Sequence, residues 1–404
     1  MTAGLVIVGG GQAASSAAAK IRELDPDIPV TMICGENTLP YQRPPLSKKY
    51  LSGEMPLDRL VLRPDDWFDE QNVAVERGRF ASRIDCSGKT ITLDNGKSLA
   101  YDKLLLATGA RERRLPTSMG GDLTGVHYLR GHVHADEMRP SVVAGEELLV
   151  IGGGYIGLEV AAVASQLGLK VTLVEMAERI LQRVAAPQTS DYFRSLHHRN
   201  GVNILEGVGL ESLTEDNGRV CGAKLTDGRD INADLVLVGI GVVPETGLAE
   251  QAGLDVDNGI TVDGFCKTSD PSVYAAGDCA NFEFDGKRIR LESVPNAIHQ
   301  AETAAKNMLG ATTPYRATPW FWSDQYDVKL QIAGLNMGFD DTVIRPGKRE
   351  GAQSVWYYKG DQLLAVDAMN DAPAFMMARR IIEAGKTVPK DVAADASSNL
   401  KEWA

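Results

Sequence analysis

The stretch Leu148-Leu149-Val150-Ile151-Gly152-Gly153-Gly154-Tyr155-Ile156-Gly157 decides the fold. Four apolar residues read as a buried strand, and G-x-G-x-x-G straight after them reads as the turn into a helix. In such a turn one glycine makes the tight bend and the next lets backbone N–H groups approach a pyrophosphate. The third lets the helix pack on the strand. A single copy is weak, because glycine-rich turns end many strands. This chain carries a second copy 143 residues earlier, where Leu5–Val8 run into Gly9-Gly10-Gly11-Gln12-Ala13-Ala14, a G-x-G-x-x-A. Two copies, each in strand–turn–helix context, predict two bound dinucleotides and electron traffic between them.

Outward from the glycines, the two halves share one plan. Each has a second strand, at 30–33 and 170–174, and each closes on a buried apolar strand ending in small residues. Those endings are Ala107-Thr108-Gly109 in the first half and Gly239-Ile240-Gly241 in the second. The helix Gln12–Leu24 is rich in alanine, which suits close packing on a parallel sheet. Asp94-Asn95-Gly96 and Asp227-Gly228 are hairpin signals at matching places. A strand at 273–276 then enters Gly277-Asp278, and a helix at 295–308 is closed by Gly310. From Pro319 the texture changes. Val328, Leu330 and Ile332 alternate with Lys329 and Gln331, further strands read at 354–358 and 363–369, and a helix at 374–384 is stopped by Gly385. Residues 391–404 carry no readable pattern. The predicted class is α/β: two Rossmann-like dinucleotide-binding domains of glutathione-reductase type plus a small C-terminal α+β domain.

Composition narrows the function. With 42 Lys and Arg against 54 Asp and Glu, the net charge of −12 argues against nucleic-acid binding. The longest apolar run, 235–243, is broken by Gly239 and Gly241 and falls short of a membrane span. Met1-Thr2-Ala3-Gly4 leads into a strand without a charged or apolar leader, so the expected location is cytoplasmic. The cysteines, at 34, 86, 221, 266 and 279, have no C-x-x-C or C-x4-C spacing and read mostly as small buried hydrophobes.

Certain side chains point to chemistry. Glu175 ends the strand after the second glycine turn, 23 residues past Gly152, where an acid holds ribose hydroxyls and repels a 2′-phosphate. NADH is therefore favoured over NADPH, although Arg179 and Arg183 follow closely. Glu36 is the counterpart in the first half. Asp278, past a buried strand and Gly277, is placed to accept from a ribitol or to approach a pyrophosphate through solvent. In Tyr41-Gln42-Arg43-Pro44-Pro45-Leu46-Ser47-Lys48, two prolines predict an extended segment that carries a lysine towards the mouth between the nucleotide sites. An ammonium there would stabilise negative charge on a flavin.

Taken together, Tyr41 to Lys48, Ala107-Thr108-Gly109, Gly152 to Glu159, Ala276-Gly277-Asp278, Glu292-Ser293-Val294-Pro295-Asn296 and Trp320-Phe321-Trp322-Ser323-Asp324-Gln325 resemble the FAD- and NADH-dependent ferredoxin reductases of bacterial oxygenase systems. The likeness runs from Leu5 to about Met369. It implies an FAD domain at 1–112 and 245–315, an inserted NADH domain at 113–244 and a C-terminal domain at 316–404. The implied FAD contacts are Gly9, Gly11, Gln12, Ala13, Ala14, Glu36, Arg43, Lys48, Ala81, Ala107, Thr108, Gly109, Arg130, Gly277, Asp278 and Val294. Those for NADH are Gly152, Gly154, Tyr155, Ile156, Gly157, Glu159, Glu175 and Gly241. Glu159 would sit by the nicotinamide and pair with Lys48 beneath the flavin, and Trp320 or Trp322 would lie near the flavin where ferredoxin docks. The implied partner is a [2Fe–2S] ferredoxin serving a haem-thiolate or Rieske-type oxygenase, and the route calls for no metal in this chain. Arg59, Arg63, Arg111, Arg113 and Arg114 are candidates for the docking patch. Disulfide reductases would need a cysteine pair, and NADH oxidases or peroxidases a cysteine where Lys49-Tyr50 stand. The apoptosis-inducing flavoprotein type would want a basic surface and a targeting segment. Monodehydroascorbate and rubredoxin reductases share much of the loop pattern and stay open as alternatives.

Overall fold

Leu5–Val8 is buried at every position and pairs in parallel with Val30–Cys34 on one side and Lys103–Leu106 on the other. Val273–Ala275 and Val73–Arg77 extend that sheet to five parallel strands, in the order 273, 103, 5, 30, 73. Strands covered on both faces read as unbroken Val, Leu and Ile, which is why these runs do not alternate. Against the sheet lie the helices Gln12–Leu24 and Val294–Met308. They meet through Ala13, Ala14, Ala17 and Ala18 on one side and Ala297, Ala301, Ala304 and Ala305 on the other. Residues without bulk beyond Cβ let two helix axes approach closely.

In the computed structural model, which describes residues 3–404, this sheet belongs to the first of two units. Met1 and Thr2, part of the leader expectation, lie outside the described residues. The first unit comprises the chain through Gln42, Leu57–Arg111 and Val242–Pro319. The second comprises Arg43–Pro56, Glu112–Gly241 and Trp320–Ala404.

The second unit repeats the plan. Its parallel sheet runs Asn203–Glu206, Lys170–Glu175, Glu147–Ile151, Leu235–Val238, Val126–His127. Beside it, Trp320–Gln325, Val328–Gly334, Gln362–Met369, Gln353–Lys359 and Asp341–Pro346 form an antiparallel sheet in that order. One core joins the two, with Phe193 and Leu196 of the helix Pro187–Arg199 among Leu330, Val355, Tyr357 and Met369. Both hairpin signals are hairpins: Thr90–Leu93 turns into Ser98–Ala100, and Arg219–Leu225 into Asp230–Asn232. Among the described residues, no helix is long and apolar enough to cross a membrane.

One stretch left unread takes shape, and one local expectation is corrected. The tail is ordered, with a helix Lys390–Ala394 and a turn Leu400–Glu402. Its organiser is the buried Arg345, whose guanidinium donates to the carbonyls of Val392, Ala393, Ala396 and Ser398. A strand arginine far away in sequence supplies what a tail without pattern could not announce. The proline segment is not extended either: Pro44–Ser47 is a 3₁₀ turn. Proline's fixed φ suits the first positions of a helical turn as well as extended chain, and its missing N–H costs nothing there.

Candidate active site

The helices after both glycine turns begin without a capping side chain. Gly11 and Gly154 are the N-caps, no acid stands in either first turn, and a Cβ at either would meet nothing within 4 Å. Open space over uncapped N–H groups at the positive end of a helix is what a pyrophosphate requires. The turns demand glycine for another reason. Gly9 and Gly152 have φ of +141° and +106°, and a Cβ would fall 2.2 Å from the Ala107 carbonyl oxygen and 2.5 Å from that of Gly239. The residues present thus fit dinucleotides in both places.

In the first unit, Ala13 lies against Gly277, so the Gly277-Asp278 turn stands beside the first glycine loop. Ala14 is fully buried, and the Gln12 amide donates to the Ser16 hydroxyl at 3.4 Å. The Thr108 hydroxyl donates to the Glu245 carbonyl at 2.7 Å, and the Glu245 amide returns a bond to the Gly109 carbonyl at 2.9 Å. Glu36 accepts from the Tyr41 hydroxyl at 2.6 Å, a contact the sequence did not suggest. Val294 opens its helix behind the Ser293 cap, and Ala81 begins the strand Ala81–Asp85.

In the second unit, Glu175 rests on the glycine loop. Its Oε2 accepts from the Gly153 amide at 2.7 Å and its Oε1 from the Ala177 amide at 2.8 Å. Gly241, near Arg183, accepts from the Arg113 amide. Ile156 is exposed at the helix start, whereas Gly157 is buried with its Cβ direction blocked 2.1 Å away by the Gly152 carbonyl oxygen. Arg43 donates to the Arg130 carbonyl at 2.9 Å.

The 3₁₀ turn brings Ser47 and Lys48 to the helix Tyr155–Gln166, where Glu159 is 3% exposed. Lys48 Nζ and Ser47 Oγ both donate to Glu159 Oε2, at 2.6 and 2.5 Å, and Lys48 Nζ also reaches the Pro44 carbonyl. Ser323 donates to the other oxygen, Oε1, at 2.6 Å. Three donors on one buried carboxylate satisfy a charge that would otherwise be costly to desolvate. The sequence reading anticipated the Lys48–Glu159 pair but missed both serines. Ser323 lay in plain view in the WFWSDQ motif, yet nothing in a lone serine announces a partner 164 residues away.

The strand Trp320–Gln325 has two distinct faces, as strand geometry requires. Phe321 stacks on Tyr155 with ring centroids 4.7 Å apart, on the side where Ser323 meets Glu159. Trp320 and Trp322 pair with each other at 5.5 Å, and the Arg379 guanidinium lies 5.3 Å over Trp320.

Several candidate docking arginines are already engaged: Arg111 with Glu245 at 3.0 Å, Arg114 with Glu112 at 2.8 Å, and Arg63 over the Trp67 ring. All five cysteines are free thiols. Burial pushes Cys34 up to about 12 and raises Cys266 and Cys279 as well, so these three are held as neutral thiols rather than nucleophiles.

Twin glycine loops that fit dinucleotides define a class, and comparison with known proteins agrees. Residues 3–301 match the family model described as pyridine nucleotide-disulphide oxidoreductase, and residues 320–404 match a reductase C-terminal domain. The chain belongs to this pyridine nucleotide-disulphide oxidoreductase family. It is 41% identical to rhodocoxin reductase of Rhodococcus erythropolis over 98% of this chain and 93% of that protein. Its structure matches the reductase in the covalent putidaredoxin reductase–putidaredoxin complex with a TM-score of 0.95 at 38% identity, covering 98% and 97% of the two chains. A rubredoxin–NAD(+) reductase of Pseudomonas putida is 38% identical over 91% of this chain and 95% of its own length.

Proposed function

We propose that this protein is an NADH-dependent ferredoxin reductase that serves an oxygenase. It takes hydride from NADH onto FAD and passes single electrons to a [2Fe–2S] ferredoxin. FAD, when bound, supplies the change from a two-electron donor to a one-electron acceptor. The chain does the rest. Its first glycine loop, with Glu36 and Asp278, holds FAD, and Arg43, Lys48 and Arg130 complete the set. The second loop would hold NADH, with Glu175 at the adenosine ribose, and the bound nicotinamide would supply the hydride. Lys48, fixed by Glu159, offers a positive charge to the flavin, and Trp320 stands at the exit for electrons.

The buried Lys48–Glu159 pair carries this reading. The NADH oxidase and peroxidase reading would want a cysteine just beyond Lys48, where this chain has Lys49 and Tyr50. Relatives named for rhodocoxin and putidaredoxin support the partner class. A cytoplasmic setting, with its NADH pool, goes with the proposal.

The test is a visible spectrum of the purified protein, then anaerobic titration with NADH, then electron delivery to ferredoxins and rubredoxins side by side. We expect a yellow protein, bleached by one equivalent of NADH, that reduces ferredoxin faster than rubredoxin. The rubredoxin–NAD(+) reductase relative makes the opposite order the outcome that would change the partner. A colourless protein that does not take up FAD would remove the function altogether.

A further inference from the structure

Glu159 stands at the end of a buried polar chain. It begins at Tyr326, whose hydroxyl lies 3.2 Å from Nδ1 of the fully buried His197. His197 Nε2 is 2.8 Å from Gln325 Oε1, Gln325 Nε2 donates to Ser323 Oγ at 3.2 Å, and Ser323 donates to Glu159 Oε1. Glu159 Oε2 then receives Lys48.

Donor and acceptor capacities fix the direction of the chain from Glu159 back to His197 Nε2. A carboxylate paired with an ammonium only accepts, so Ser323 spends its single proton on Glu159. Ser323 can then only accept from Gln325, which must present its NH₂. The Gln325 carbonyl consequently faces His197, and Nε2 there must carry the hydrogen. In a neutral ring Nδ1 is then bare and accepts from the Tyr326 hydroxyl 3.2 Å away. The arrangement needs a neutral imidazole. Burial supplies it, pushing His197 down to about 4 against the opposing pull of the Gln325 bond. All the donors therefore point the same way, and each polarises the next.

We propose that Tyr326, His197, Gln325 and Ser323 form a one-way hydrogen-bond chain of positioning residues that hold Glu159, and through it Lys48, for flavin reduction by NADH. This rests on the function proposed above. The chain runs along the inward face of the strand whose other face shows Trp320 and Trp322, so the strand places charge and electron exit together.

The first test does not depend on activity. With ¹⁵N-labelled histidine, the resonance lost in His197→Gln identifies His197, and at neutral pH we expect the neutral Nε2–H form. An Nδ1–H form or a charged ring overturns the proposal. The second test is stopped-flow bleaching by NADH. Removing the Ser323 hydroxyl lets the Glu159 carboxylate shift, and Ser323→Ala should slow bleaching about tenfold with the flavin still bound. Ser323→Thr, which restores the donor, should recover most of the rate. An unchanged rate in Ser323→Ala sinks the idea. If that variant loses its flavin, Gln325→Leu decides: removing the carbonyl that accepts from Nε2 should shift His197 towards a tautomer mixture, and an unaltered tautomer counts against the chain. Failure of the wild type to be bleached by NADH would instead remove the function and leave the histidine result standing.

Discussion

Glu175 holds its carboxylate with one oxygen on the Gly153 amide and the other on the Ala177 amide. Each oxygen keeps a further lone pair, so the side chain braces the glycine loop while remaining able to accept from a ribose hydroxyl. A 2′-phosphate would meet that fixed negative charge. Glu175→Ala is expected to lower the NADH-to-NADPH ratio of kcat/KM about tenfold, chiefly through a higher KM for NADH. Steady-state kinetics with both nucleotides checks this, and an unchanged ratio would mean that Glu175 only supports the loop. Glu175 was legible from its offset past the glycine motif, whereas the Lys48–Glu159 pair was implied only by the family resemblance. Ser47, Ser323, Gln325 and His197 were not legible, since their partners come from distant parts of the chain.

Each glycine turn is a strand end, a bend and a helix start that must fit within a few ångströms. The two repeats solve the last position differently. Ala14 fits in the first, while in the second a Cβ on Gly157 would lie 2.1 Å from the Gly152 carbonyl oxygen. Backbone must move to admit it, and cores respond to such crowding with losses of about 1–3 kcal/mol. Gly157→Ala should therefore lower the melting temperature and weaken NADH binding by calorimetry, with FAD retained because its loop is separate. Loss of FAD but not of NADH binding would show the two loops wrongly assigned. The same scale explains the misread proline segment. Two prolines restrict the chain, but they fit both extended and 3₁₀ backbone, and the chosen one carries Ser47 and Lys48 to Glu159.

At the scale of the whole molecule, two buried titrating groups set opposing acid responses. His197, lowered from 6.5 to about 4 by burial, gives stability above 6.5 that is lost as pH falls towards 4, because only the unfolded chain takes the proton in that window. Asp367, raised from 3.8 to about 6 by burial despite bonds from Tyr357 and Thr189, does the reverse. Its contribution is present below 3.8 and lost as pH rises through about 6. Asp367→Asn removes that loss, so the variant should gain about 3 kcal/mol relative to wild type between about pH 3.5 and about pH 7 in urea unfolding. A difference that stays constant with pH would show that Asp367 does not titrate in this window.

By itself the sequence determined the two glycine-turn repeats, their parallel strands and the acids past each glycine turn. These are local facts, since a strand–turn–helix motif is written in consecutive residues and its geometry follows from backbone sterics. Only the tertiary structure decided which serines face Glu159, that His197 meets Gln325 and Tyr326, and that Arg345 organises the tail. Those depend on side chains far apart in the chain meeting in buried space, where an unpaired polar group is costly.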